Sequence, residues 1–60
     1  MQTTMDIGSR VKFTYLDDGK KTEDSGYVCQ DYPNGQFVIS DYPDKIANPR
    51  RFDAIAVTFA

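Results

Sequence analysis

The chain has 60 residues, nine of them acidic and seven basic, for a net charge of −2, and it contains no histidine. A domain of this size buries only about 60% of the surface its unfolded chain exposes, which leaves little for a deep catalytic cleft. The missing histidine removes the commonest general base and the commonest metal ligand, and the acidic balance argues against a basic nucleic-acid surface.

Hydrophobic residues make up 40% and aromatics 13%, enough for one compact core and one domain over residues 1–60. Met1 to Ile7 has no basic stretch leading into an apolar run, so no secretory signal is expected. No apolar stretch is long enough for a membrane span. The one cysteine, Cys29, has no intramolecular disulfide partner, whereas small secreted domains are usually stapled by several disulfides. A cytoplasmic protein is expected. Oligomerisation is another common staple for so small a core, so a homo-oligomer stays open.

In chain order, Arg10 to Leu16 alternates, with Val11, Phe13 and Tyr15 on one face and Lys12 and Thr14 on the other. That period of two marks a half-buried strand. Asp17-Asp18-Gly19-Lys20 follows, and Asp-Gly between alternating runs is a hairpin signal. The polar stretch Lys21 to Ser25 is expected in or beside that turn. A second strand runs from about Gly26 to Gln30. Tyr32-Pro33-Asn34-Gly35 suits a type I turn, with Gly35 taking positive φ as a bulge residue. Gln36 to Ser40 is the third strand, and Asp41 to Pro49 is a longer connection.

The last apolar set, Phe52, Ile55, Val57 and Phe59, is irregularly spaced at Phe52-Asp53-Ala54-Ile55. A strand broken by one tight helical turn fits it. The competing reading is a helix over 44–60, which Pro49 would interrupt and the strand-like Val57-Thr58-Phe59 disfavours. The expected fold is all-β: a small antiparallel SH3-like or Sm-like barrel of four to five strands, since closing a sheet removes its edges. Phe13, Val28, Ile39, Ile55 and Val57 are the expected core, and Phe37, Phe52 and Phe59 also look internal.

Few residues carry chemistry. Cys29 lies in a strand with no histidine to stabilise a thiolate, so it reads as a packing residue. The acidic pairs Asp17-Asp18 and Glu23-Asp24 lack the alternating oxygen ligands of a Ca²⁺ loop, because lysines follow Gly19. No phosphate loop, nucleophile elbow or zinc spacing is present. No catalytic residue, metal or cofactor is expected.

The tyrosines are more informative. Asp31-Tyr32-Pro33 recurs ten residues on as Asp41-Tyr42-Pro43. The plain explanation is that both triplets open a turn after a strand. Tyrosine beside acids and prolines also suits a peptide-recognition surface, so Tyr32, Asp41 and Tyr42 are the candidate protein-binding residues. The alternative is that these rings cap the barrel ends. With no tryptophan and no Ala-Leu-Tyr opening, proline-motif recognition is not supported. A second class of partner, nucleic acid, would need Lys12, Arg50 and Arg51 to meet on one face. Solvated side chains balanced by nearby acids are the plainer reading of those three.

Val11-Lys12-Phe13-Thr14-Tyr15, Phe37-Val38-Ile39-Ser40 and Arg51-Phe52-Asp53-Ala54-Ile55 together resemble the barrel core of WYL domains. Those are Sm/SH3-like modules of bacterial transcriptional regulators. Phe37-Val38-Ile39 stands where that family has Trp-Tyr-Leu, and Ala54 stands where it has arginine. The resemblance implies a small barrel with a ligand-binding role, and Arg51 is the matching basic position. Gly26-Tyr27-Val28 is also similar to the Gly-x-Val step of KOW modules. The expected function is a small protein-binding regulator, inhibitor or adaptor. The alternative is a nucleic-acid-associated or transcription-regulatory factor of WYL or KOW type.

Overall fold

The computed structural model describes residues 5–60. Strand β1 (Arg10–Asp17) pairs antiparallel with β2 (Lys20–Asp31), from Arg10 opposite Tyr27 to Asp17 opposite Lys20. Asp18 and Gly19 make the turn, with φ of 51° and 82°. Two successive positive φ values define the two-residue hairpin turn whose twist matches that of the strands it joins.

Lys21 to Ser25 is therefore strand and not part of the turn, which corrects the expectation for that stretch. The cause is the length of β1. A two-residue turn hands each residue of β1 a partner on β2, whatever the composition of the partner.

The second turn follows the sequence reading. Gly35 N–H donates to Tyr32 O at 3.1 Å, Tyr32 N–H donates to Gln36 O at 2.9 Å, and Gly35 sits at φ 90°. Strand β3 (Gln36–Ser40) pairs with β2, with a bulge between Val28 and Gln30. It pairs on its other side with β4 (Arg50–Asp53). A single 3-10 turn, Ala54–Ala56, leads into β5 (Val57–Phe59), which pairs with β1. The Asp53 carboxylate accepts the Ile55 N–H at 3.3 Å and caps that turn.

The sheet order is β4-β3-β2-β1-β5, antiparallel throughout and curled into a half-barrel. The all-β expectation with one helical turn near the C-terminus holds. The helix over 44–60 does not form: 44–49 is irregular loop, and Ala54–Ala56 is the only helical element within 44–60.

Phe13, Phe37 and Ile39 are fully buried, with Met5, Val11, Tyr15, Phe52, Ala54 and Val57 packed around them. Phe13 is the hub. Its ring centroid lies 4.8 Å from Phe52, 5.6 Å from Phe37 and 5.9 Å from Phe59, each tilted toward edge-to-face. Val28, opposite Ile39, is also buried.

Ile55 is not core: it is 92% exposed. The 3-10 turn resets the alternation between Phe52 and Val57, so Ala54 packs inward and Ile55 points out. Phe59, on the edge strand, packs on Phe13 yet is 40% exposed.

Gly26 is buried on β2 against the end of β3. A Cβ there would lie 2.8 Å from Ser40 O and 3.2 Å from Ile39 Cβ. Only glycine permits this approach.

Ser40 ties down the 41–49 loop. Its hydroxyl is fully buried, accepts from Ala47 N–H at 2.8 Å and donates to Lys45 O at 2.9 Å. Asp41 N–H closes the loop on Ala47 O at 3.0 Å.

Candidate functional site

The predicted basic residues do not converge. Arg50 lies opposite Ile39 and Arg51 opposite Val38, so consecutive side chains of β4 leave on opposite faces of the sheet. Lys12 is on β1, three strand positions away, which is roughly 14 Å in a flat sheet. It pairs with Glu23 at 3.4 Å, with both side chains well exposed.

Arg50 is engaged internally. Its Nε donates to Asp24 Oδ2 at 3.1 Å and its Nη1 to Asp41 Oδ1 at 2.9 Å. Its Nη2 donates to Ser25 O at 3.1 Å, and its Nη1 also reaches the Asn48 carbonyl. Burial pulls the guanidinium pKa down, and the hydrogen bonds and charges of Asp24 and Asp41 more than offset it, leaving the pKa above its ordinary value. Arg50 is a rivet between β4, β2 and the 41–49 loop. Arg51 is more exposed and stacks on Tyr32, with Cζ 5.0 Å from the ring centroid.

The three predicted protein-binding residues are also spread out. Tyr32 precedes β3 and Asp41 and Tyr42 follow it, and a strand of that length spans about 17 Å. The Asp41 carboxylate is bound by Arg50. Tyr42 is 51% exposed, with Lys45 Nζ 4.6 Å over its ring. Ile46, on the same loop, is 66% exposed. Cys29, a half-buried free thiol, donates to Val38 O at 3.5 Å.

A different feature was missed by sequence reasoning. An open groove of about 240 Å³ lies over the end of the β1–β5 pairing, beside the 3-10 turn and the start of β2. Its lining comes from Thr14, Tyr15 and Leu16 of β1, Lys21 of β2, and Ile55, Ala56, Val57 and Thr58. Leu16 is 72% exposed. Its signal was present: Leu16 is an apolar residue on the Lys12 and Thr14 side of an alternating strand. That Ile55 lines the same groove was invisible because its placement depends on the 3-10 turn.

Lys21 is the one charged side chain lining the groove, and it makes no ion pair with any described residue. The Phe59 main chain is also open. Ala60 N–H donates to Lys12 O at 2.9 Å, so Lys12 and Ala60 form a hydrogen-bonded pair. Such pairs alternate along an antiparallel ladder. At the next position, Phe13 and Phe59, the N–H and C=O of Phe59 therefore turn away from β1 toward the outer edge of β5. No described strand pairs there.

Among the described residues no helix is long and apolar enough to cross a membrane. The chain matches no family model, no curated protein and no solved structure.

Proposed function

We propose that the chain is a non-enzymatic protein-binding module on an SH3-like half-barrel, acting as a regulator, inhibitor or adaptor. The observation that carries this reading is the open groove lined by both Leu16 and Ile55, each of which stays largely in water. A single exposed leucine is ordinary on a protein surface. Two aliphatic side chains, from segments about forty residues apart in sequence, on the walls of one concavity are the pattern of a recognition surface. The strand order and the 3-10 turn between β4 and β5 support the SH3-like assignment. Tyr42 and Ile46 supply a second contact region on the 41–49 loop, with Asp41 at its base and Tyr32 at the far end of β3.

The test is site-specific photo-crosslinking in the cells that make the protein. A benzophenone side chain is placed at Leu16, at Tyr42 and, as a control, at Asp6. One discrete protein adduct from Leu16, absent from Asp6, is the expected result. Adducts to nucleic acid alone, or none from either Leu16 or Tyr42, would sink the proposal.

A further inference from the structure

We infer that the chain forms a two-fold dimer through the outer edge of β5. Each copy adds its β5 antiparallel to that of the other, with Thr58 on the axis. The inference goes beyond the protein-binding reading above and does not depend on it.

Three observations select a second copy as the occupant. The first is the contrast between the two outer strands of the sheet, β4 and β5. β4 follows Pro49 and carries Arg50, Arg51 and Asp53, features that keep an edge from pairing. Residues 54–60 carry no charge and no proline. Such an edge offers a foreign strand no ion pair to recognise, and it meets its own copy without like-charge repulsion. With β4 guarded, the sheet extends at one edge only, so the assembly closes as a dimer and does not run on as a filament.

The second is register. Lys12 and Ala60 form a hydrogen-bonded pair, so by alternation Thr14 and Thr58 form the next one. Val57 and Phe59 fall at the positions between, and the Val57 carbonyl and both main-chain groups of Phe59 face outward. With the axis at Thr58, Val57 of each copy lies opposite Phe59 of the other. Each Phe59 N–H then donates to a Val57 carbonyl.

The third is the core. The Phe59 ring packs on Phe13 and Phe37, with centroids 5.9 Å and 5.7 Å away, yet it stays 40% exposed. Val57 shares its face of the strand and packs on the same core. Residues opposite each other in a ladder share a face, so the pairing lays both Phe59 rings and both Val57 side chains on one surface and joins the two cores. β5 has only three residues. The main-chain bonds therefore fix the register, and apolar burial supplies the affinity. A domain this small gains stability from such a staple.

The experiment is sedimentation equilibrium of the full chain at several concentrations, with Thr58→Lys and Thr58→Glu beside the parent. The parent should fit a monomer–dimer equilibrium with no larger species, and exchange of its Phe59 amide should slow as concentration rises. Thr58 is exposed and meets its copy at a non-hydrogen-bonded position, where opposing side chains lie closest. Each variant alone should associate about fivefold more weakly, through like charges directly opposed. Mixing the two should restore a dimer with one copy of each.

A parent that is monomeric at every concentration overturns the inference, and so do assemblies larger than a dimer. Association that both variants leave unchanged, that mixing does not restore, or that Arg51→Glu on β4 abolishes also overturns it. Should the Thr58 variants fail to fold, the parent decides: Phe59 exchange that is independent of concentration overturns the inference.

Discussion

Arg50 on the edge strand β4 reaches over β3 to Asp24 on β2, with Nε 3.1 Å from Oδ2 and Nη2 3.4 Å from Oδ1. The same guanidinium holds Asp41, so one side chain ties together two strands and the 41–49 loop. Both partners of the Asp24 pair are mostly buried, so solvent screens them less than a surface pair.

Arg50→Ala is expected to cost about 1–3 kcal/mol, because it strands the mostly buried Asp24 carboxylate as well as removing charged hydrogen bonds. Arg50→Lys should recover little of it, since an ammonium lacks the planar fork that reaches Asp24, Asp41 and Ser25 at once. Urea denaturation of the two variants decides the matter. A lysine variant as stable as the parent would show that charge alone was needed. The Arg50 pKa is raised in the fold, so its contribution is fully present below the unfolded-state pKa and is lost only as pH rises through the folded value, in the strongly alkaline range. Titrating Arg50 should therefore leave stability unchanged across neutral pH.

Core substitutions separate two residues that looked alike in the sequence. Phe13→Ala should cost about 3–5 kcal/mol and Ile39→Ala about 2–5 kcal/mol. At roughly 0.05–0.15 kcal/mol per residue a domain of this length has about 3–9 kcal/mol in total. Ile55→Ala should stay within about 0.5 kcal/mol, as surface changes do. Thermal melting of the three variants checks the order, and a large loss at Ile55 would put that side chain back inside.

What was legible in the residues was local. Asp18-Gly19 and Tyr32-Pro33-Asn34-Gly35 state their turns through the φ values they favour, and Val11, Phe13 and Tyr15 state their face by alternation. Lys21 to Ser25 was not legible as strand, since its pairing is dictated by β1 and its composition is polar. The groove was not legible either. It joins residues 14–16, 21 and 55–58, and no local pattern links them.

Gly26 on β2 lies closely against Ser40 at the end of β3. Gly26→Ala places a Cβ against Ser40 O and Ile39 Cβ, and should cost about 1–3 kcal/mol through forced backbone shifts. Ser40→Ala creates no clash but leaves Ala47 N–H without its acceptor. Its cost should be about 1–3 kcal/mol. Its signature should be local: faster hydrogen exchange at Asp41 and Ala47 with β1 and β2 protection kept. Uniform loss of protection would mean that Ser40 holds the whole sheet and not the loop.

The last prediction concerns the alternative partner. A duplex binder gains most of its affinity by neutralising phosphates, and each neutralised phosphate adds nearly one unit to the slope of log affinity against log salt. Lys12, Arg50 and Arg51 acting together would give a slope of about −3. The geometry leaves fewer cations than that for phosphate. Arg50 is held by two carboxylates on one face, Arg51 emerges on the other, and Lys12 faces Glu23. Titration with random duplex and single-stranded DNA should therefore show no micromolar binding at physiological salt, and only a shallow slope at low salt. Arg51→Ala should flatten that slope further with the fold intact, whereas Arg50→Ala acts through stability. Tight binding with a slope of −3 or steeper, lost in Arg51→Ala while its melting temperature is unchanged, would move the functional assignment from protein to nucleic acid.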